Sequence, residues 1–173
     1  MFKRLSQSNK RLLLLLGRFA LAAIFIFYAY AKMKPLPGLH WSIASVNSSL
    51  LMFSFNVGGY NMLPDSAVIP FAKVLPPFEM LLGLWLLSGV GLRFSSLCAA
   101  ALLAVFIFAM TWVYVHGLVI PCGCGGAGDS QQVGPLKIFE DVLMLALSVA
   151  VAIGAFKAHS NRLSQSFNST SEM

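Results

Sequence analysis

Charged side chains are scarce in this chain, and acidic ones are scarcer than basic ones. Asp, Glu, Lys and Arg make up only 10% of its 173 residues, with six acidic side chains against twelve basic ones. Soluble globular domains carry about 25% charged residues. Because 58% of the residues are hydrophobic and long apolar stretches recur, the composition excludes an ordinary soluble domain and indicates membrane-spanning helices.

A basic patch with interleaved aromatic residues is also missing, although the formal net charge is +6. Such a patch is typical of nucleic-acid binding, so nucleic acid is not an expected partner. The Lys and Arg residues instead flank apolar segments, as they do at membrane surfaces. The chain is long enough for one compact helical bundle but not for a sizeable second domain.

Four apolar segments are long enough to cross a bilayer, at about residues 12–31, 71–90, 94–115 and 136–156. The predicted fold is therefore an all-α, four-helix transmembrane bundle that occupies residues 12–156. Because the number of spans is even, both termini are expected on the same side of the membrane.

The segments outside the spans differ in composition. Residues 1–11 form a polar, basic lead, and residues 157–173 form a tail rich in Ser and Asn for which we predict disorder. The connections 32–70 and 116–135 are expected on the side opposite to the termini. Within the first, residues 39–61 mix apolar and small polar side chains, which predicts either a short helix lying in the interface or an irregular loop.

The basic residues predict which side faces the cytoplasm. Seven lie on the side of the termini and four on the opposite side, with Arg18 inside the first span: Lys3, Arg4, Lys10, Arg11, Arg93, Lys157 and Arg162 against Lys32, Lys34, Lys73 and Lys137. By the positive-inside rule, the termini are cytoplasmic. We therefore expect a multi-pass protein of the inner (cytoplasmic) membrane whose connection 116–135 faces the periplasm. Cleavage of the first span as a signal peptide is disfavoured by its length and by Arg18.

Cysteine is rare too, yet two of the three cysteines lie one glycine apart, in Cys122-Gly123-Cys124. A disulfide between them needs a tight turn, for which Gly123 has the conformational freedom. We expect so small a ring to be strained and oxidising, and its closure to remove little unfolded-state entropy. Thiol–disulfide exchange is thus favoured over a structural role. Cys98 belongs to the cytoplasmic half of the bundle, most of a bilayer away, and is interpreted as a small packing residue.

Two other interpretations of the thiols stay open. With His116 at the outer end of the third span, Cys122 and Cys124 could bind copper(I) or zinc. Their spacing is not that of a standard zinc knuckle, however, and no second cluster of Cys or His completes four ligands. The pair could also be unreactive.

Ionisable residues inside apolar segments form the second group of candidates. Arg18 and Glu79 each lie about two turns inside a span, where an unpaired charge is costly. They could pair with each other, or each could reach towards its nearer membrane surface. Glu140 and Asp141 open the fourth span on its outer side, where we interpret them as carboxylates of the first turn that complement the helix dipole.

Together these elements resemble the MauE-like branch of the MauE/DoxX family of small four-helix membrane proteins. The resemblance covers roughly residues 17–155 and is carried by Gly17-Arg18-Phe19, Ala31-Lys32-Met33, Leu63-Pro64, Leu75-Pro76-Pro77-Phe78-Glu79-Met80-Leu81-Leu82-Gly83 and Cys122-Gly123-Cys124. The chain departs from the family pattern at Gly125-Gly126, where an aromatic residue is usual, and at Glu140-Asp141, where a basic residue is usual.

The resemblance implies a role in thiol–disulfide chemistry. The namesake of the branch is needed, alongside a thioredoxin-like partner, to mature a disulfide-rich periplasmic dehydrogenase subunit. By resemblance, Cys122 and Cys124 are the redox pair, and Arg18, Lys32 and Glu79 are supporting positions of the family.

We therefore expect a membrane component of an extracytoplasmic thiol–disulfide exchange or protein-maturation pathway, with a thioredoxin-like extracytoplasmic partner. The alternatives are copper or zinc handling by the same thiols, and a non-catalytic assembly factor. Four-helix disulfide enzymes that use quinone make a quinone a candidate cofactor by analogy alone.

Overall fold

The computed structural model describes residues 2–126 and 131–171, with side chains for residues 12–126, 131–157 and 160. Over these residues the chain forms five α-helices: α1 (Phe2–Met33), α2 (Ile43–Gly59), α3 (Asp65–Ser88), α4 (Leu92–Val115) and α5 (Pro135–Ser171). Strand pairing in the described part of the chain is limited to one isolated antiparallel bridge between Pro121 and Gln132.

Four of the helices are long and apolar enough to cross a membrane. The spanning segments are Leu12–Met33, Asp65–Ser88, Leu92–Val115 and Pro135–Lys157. The predicted four-helix transmembrane bundle is thereby confirmed. Large apolar side chains on all four helices remain exposed, as lipid-facing side chains would be.

The helix α3 begins earlier than its hydropathy suggested. Pro64 precedes it with extended backbone, and the helix starts at Asp65 rather than near residue 71. Pro70, Pro76 and Pro77 all lie inside α3. Proline is tolerated within membrane-spanning helices because neighbouring helices and local adjustments satisfy the freed backbone groups.

The connection between the first two spans contains the helix α2, so residues 39–61 include a helix and are not an irregular loop throughout. Ser42 caps its first turn by accepting a hydrogen bond from the backbone N–H of Ser45, whose side chain accepts one from the N–H of Ser42 in return. Phe53 of α2 packs with Ala72 and Leu75 of α3. The helix therefore covers one end of the bundle.

Helical backbone also extends into both terminal segments. α1 begins at Phe2, within the basic lead, and α5 continues to Ser171, through most of the tail for which composition predicted disorder. No Gly or Pro follows Gly154 in the sequence, so the helix meets no residue that would stop it.

The bundle is built from two tightly packed helix pairs, α1 with α3 and α4 with α5. The main core cluster draws on all four helices and contains Leu21, Ala22, Phe25, Leu82, Leu86, Ala99, Leu103 and Val151. At Gly83 of α3, an added Cβ would lie 3.2 Å from the Ala22 carbonyl oxygen and 2.8 Å from a side-chain carbon of Ile26. A small residue at this point lets α1 and α3 approach closely, as small residues do in membrane bundles.

Candidate functional site

A disulfide joins Cys122 to Cys124 in the connection between α4 and α5, with 5.3 Å between their Cα atoms. The base of this connection is held by short antiparallel pairing. The Cys122 N–H donates to the Gln131 carbonyl at 2.7 Å, and the Val133 N–H donates to the Ile120 carbonyl at 3.0 Å. Backbone hydrogen bonds thus hold this segment independently of the disulfide.

We call residues 120–126 the Cys loop. Two glycines allow the Cys loop to pack closely against α1 and α2. Gly123 and Gly126 have φ of +72° and +90°, a conformation that strongly favours glycine. A Cβ at Gly123 would lie 3.1 Å from side-chain atoms of both Phe53 and Asn56, and one at Gly126 would collide with the backbone carbonyl of Ala31. The Cys loop therefore folds back over the ends of both helices.

The two cysteines differ in their surroundings. Cys122 is buried, and its Sγ lies 3.8 Å from the Sδ of Met110, whereas Cys124 is more exposed. The Tyr60 hydroxyl donates a hydrogen bond of 3.0 Å to the Cys122 carbonyl. Burial, together with the negative charge of Asp141, raises the pKa of Tyr60 to about 12. The hydroxyl hence stays protonated at neutral pH and keeps its role as a donor.

A buried ion pair lies beside the Cys loop. The Lys32 ammonium donates to both carboxylate oxygens of Glu79 at 2.7 Å, and the two side chains are 5% and 2% exposed. The Lys32 Nζ also lies 5.3 Å from the ring centre of Phe53 and 5.4 Å from that of Phe106. Buried charges are tolerated when they are paired in this way, and aromatic faces add to the stabilisation of the cation.

Arg18 is not the partner of Glu79. Its guanidinium donates to the Leu87 carbonyl at 3.2 Å and lies against Gly89, where α3 ends at the opposite side of the bundle. The reason is distance, because Arg18 precedes Lys32 by about four turns, or about 21 Å, along α1. Lys32 lies level with Glu79 in the bundle, so Lys32 and not Arg18 is the partner of Glu79.

The start of α5 contributes a second set of ionisable groups, whose contacts differ from those that the sequence predicted. α5 begins at Pro135, so Glu140 and Asp141 lie beyond its first turn, and the interpretation as dipole-complementing carboxylates is wrong. The Lys137 ammonium donates to the Tyr28 hydroxyl at 3.0 Å and to a carboxylate oxygen of Glu140 at 2.9 Å. Asp141 is only 5% exposed. Ionisable residues inside membrane spans are presumed to be paired or functional, and this rule would have identified Asp141 from the sequence.

Two cavities meet at the disulfide. The smaller, about 30 Å³, is lined by Lys32, Glu79 and Asp141 together with Tyr28 and Cys124. The larger, about 370 Å³, is mainly apolar and is also lined by Lys32 and Cys124, as well as by Cys122 and Gly123. The structure therefore brings the predicted residues Lys32, Glu79, Cys122, Gly123 and Cys124 into one region and leaves Arg18 out.

The remaining sequence candidates lie apart from this region. The His116 ring packs against Trp112 with 4.1 Å between ring centres, and its Nδ1 lies 2.8 Å from the Trp112 carbonyl oxygen. Among the side chains that the structure describes (residues 12–126, 131–157 and 160), no three His, Cys, Asp or Glu are grouped to hold a metal ion, so His116, Cys122 and Cys124 are not brought together as a ligand set. Cys98 is a free thiol exposed on the bundle surface, and its interpretation as a packing residue is wrong.

Comparison with known proteins identifies a family to which this chain is similar. The model of the family described as "Methylamine utilisation protein MauE" matches residues 10–154. The methylamine utilization protein MauE of Paracoccus denitrificans is 33% identical over 99 residues, which are 57% of this chain and 53% of that protein. The chain thus spans about half the length of the curated relative that it matches. No solved structure shows significant similarity to it.

Proposed function

This chain belongs to the MauE family, and from that premise we propose that it is the membrane component of an extracytoplasmic thiol–disulfide exchange pathway. In this proposal the Cys122–Cys124 disulfide accepts electrons from a thioredoxin-like protein that matures a disulfide-containing client. The name of its relative suggests a pathway that serves methylamine utilisation. The Cys loop would face the periplasm.

The observation that carries the proposal is that the disulfide has little to stabilise. It closes a loop with one intervening residue, so it removes little entropy from the unfolded chain. The Cys loop is already held by backbone hydrogen bonds at its base and by the close fit of Gly126 against Ala31. A bond that is structurally dispensable is better explained by its reactivity.

The reaction is a two-step exchange. A thiolate of the partner attacks the Sγ of Cys124, the more exposed sulfur, and the S–S bond breaks to release the Cys122 thiolate. The second thiol of the partner then attacks the mixed disulfide and releases Cys124. The partner leaves with a disulfide, while the chain keeps two electrons and, after taking up the two protons lost by the partner, two thiols.

Lys32 is suited to support this exchange. It lines both cavities that reach Cys124, and a nearby positive charge favours the thiolate over the thiol. Its pairing with Glu79 keeps the ammonium in place. We therefore assign Lys32 and Glu79 as positioning residues rather than as groups that react.

Single-turnover exchange tests the proposal. The oxidised protein in lipid nanodiscs is mixed with a reduced thioredoxin-fold protein as the probe, and thiols are counted by the mass added on alkylation. We expect the wild type to oxidise about one probe dithiol per chain, and Cys122→Ser and Cys124→Ser to oxidise none. Cys98→Ser is the matched control, because Cys98 is a free thiol away from the site, and it should behave as the wild type.

Trapping identifies the attacked sulfur. A probe with a single cysteine, quenched by alkylation, should be recovered as a mixed disulfide on the peptide containing Cys124. If the wild type oxidises the probe no faster than the Cys122→Ser variant does, the exchange function is excluded. Unchanged client maturation in cells carrying both Cys→Ser substitutions would instead favour a non-catalytic assembly factor.

A further inference from the structure

We propose that the larger cavity beside the disulfide is a binding site for a membrane quinone, which reoxidises Cys122 and Cys124 after each exchange. The inference rests on the proposed function, because it supplies the acceptor for the electrons that the disulfide receives. It goes further by assigning a site to that acceptor. Three features of the cavity and one feature of the redox pair support it.

The first feature is the size and lining of the cavity. It lies between α1, α2, α3, α4 and the Cys loop and measures about 370 Å³. This volume is within the range of small-molecule sites. Its walls are mostly aromatic and aliphatic, formed by Phe53, Val57, Met62, Leu63, Phe71, Leu75, Val105, Phe106, Phe108, Ala109 and Met110. Such a cavity favours an apolar, ring-shaped ligand over a charged nucleotide cofactor.

The second feature is access from the lipid. Phe71 of α3 and Val105 and Phe108 of α4 line the cavity, and they are also 40%, 57% and 61% exposed on the surface of the bundle. All three belong to segments that can span the membrane. The cavity therefore reaches the lipid-facing side, where a quinone dissolved in the bilayer can enter.

The third feature is a polar group suited to a quinone carbonyl. The Asn56 side chain lines the cavity, and its amide nitrogen lies beside Gly123, 3.3 Å from where a Cβ on that glycine would be. Its amide forms no hydrogen bond with the described part of the chain. Its N–H groups can hence donate to a carbonyl oxygen of a ring placed next to the two sulfurs.

The fourth feature is the isolation of the redox pair. The third cysteine, Cys98, belongs to the second turn of α4, whereas Cys122 follows the far end of that helix. About 25 Å of helix lies between them. The chain therefore has no second dithiol to which Cys122 and Cys124 could pass electrons.

The proposed step balances with a quinone as the oxidant. The two thiols of Cys122 and Cys124 lose two protons and two electrons, and their sulfurs form the S–S bond. The quinone gains two electrons and two protons at its oxygens and leaves as the quinol. One quinol is formed for each disulfide.

The test uses the full chain in nanodiscs, reduced, freed of reductant and kept anaerobic. Decylubiquinone is added as the probe, and both the disulfide re-formed and the quinol produced are measured. We expect one quinol per disulfide. Ala109→Phe fills the cavity and should slow the reaction at least about tenfold, a barrier increase of about 1.4 kcal/mol. The matched control is Ala104→Phe, which adds the same ring at an exposed site of α4 outside the cavity lining, and it should match the wild type.

The proposal is overturned if decylubiquinone does not accelerate disulfide formation in the wild type, or if Ala109→Phe and Ala104→Phe react equally fast. If Ala109→Phe does not fold, photolabelling of the wild type with an azidoquinone tests whether a quinone occupies the cavity. Label on Phe106, Ala109 or Met110 supports the site, and label only elsewhere contradicts it. Single-turnover exchange with the thioredoxin-fold probe needs no quinone, so failure of the quinone site is distinguishable from failure of the exchange function.

Discussion

At the scale of single residues, Lys32 and Glu79 form a buried ion pair that is costly to break from one side. Both side chains are almost fully buried, and the lysine donates to both carboxylate oxygens. Removing one member of a buried pair leaves the other charge uncompensated, which costs far more than the net contribution of the pair. The pair therefore constrains how α1 and α3 meet beneath the Cys loop.

Single and double substitutions of this pair should not be additive. We expect Lys32→Met and Glu79→Gln each to lower the free energy of unfolding by about 3–5 kcal/mol, and the double variant to lose clearly less than their sum. Unfolding in mixed micelles with increasing denaturing detergent measures this. Lys73→Met is the control, because Lys73 is an exposed lysine of α3, and it should change stability by no more than about 0.5 kcal/mol. Additive losses would mean that the two side chains do not interact.

At the scale of elements, the decisive contact is that between the Cys loop and the ends of α1 and α2. Gly126 approaches the Ala31 backbone too closely for any side chain, and Gly123 packs against Phe53 and Asn56. This contact places the disulfide in the lining of both cavities. The position of the disulfide thus depends on backbone packing rather than on the cysteines alone.

Gly126→Ala should therefore displace the Cys loop while leaving the spans folded. We expect single-turnover exchange to slow on the order of 10- to 100-fold, since reactions depend steeply on the position of the reacting atoms. Gly38→Ala is the matched control: Gly38 has φ of +88°, close to the +90° of Gly126, but an added Cβ there meets nothing within 4 Å. Equal rates for the two variants would show that the backbone strain, and not the contact with Ala31, matters.

At the scale of the whole molecule, orientation in the membrane decides which compartment the disulfide meets. Four spans put both chain termini on one side of the membrane, and the excess of basic residues on that side predicts that they are cytoplasmic. Disulfides persist in the periplasm and are rare in the cytosol. The proposed chemistry therefore requires this orientation.

Labelling of intact spheroplasts with a membrane-impermeant maleimide checks the orientation. After mild reduction, Cys122 and Cys124 should be labelled from outside, whereas Cys98 should not. A cysteine placed in the basic lead by Ser6→Cys should react only after the membrane is permeabilised. Labelling of Ser6→Cys in intact spheroplasts, with none at Cys122 and Cys124, would reverse the topology and contradict the proposed function.

Much of this protein follows from its sequence because a spanning helix is a local feature. Each span must satisfy its own backbone hydrogen bonds in the lipid, so an apolar run of sufficient length suffices to predict it. The proximity of Cys122 and Cys124 is likewise predictable, because only one residue separates them in the sequence. The number of spans and the presence of the thiol pair were accordingly determined by the sequence alone.

Only the tertiary structure decided which ionisable groups meet and what surrounds the thiols. The partner of Glu79 depends on the depth and rotation of α1 against α3, which select Lys32 over Arg18. The burial of Asp141 likewise depends on the packing of α5. No local pattern encodes the cavity beside Cys122-Gly123-Cys124, because residues of α1, α2, α3, α4 and the Cys loop line it together. The thiol pair was predictable from the sequence, but its place beside a buried ion pair and two cavities arises only when the helices pack.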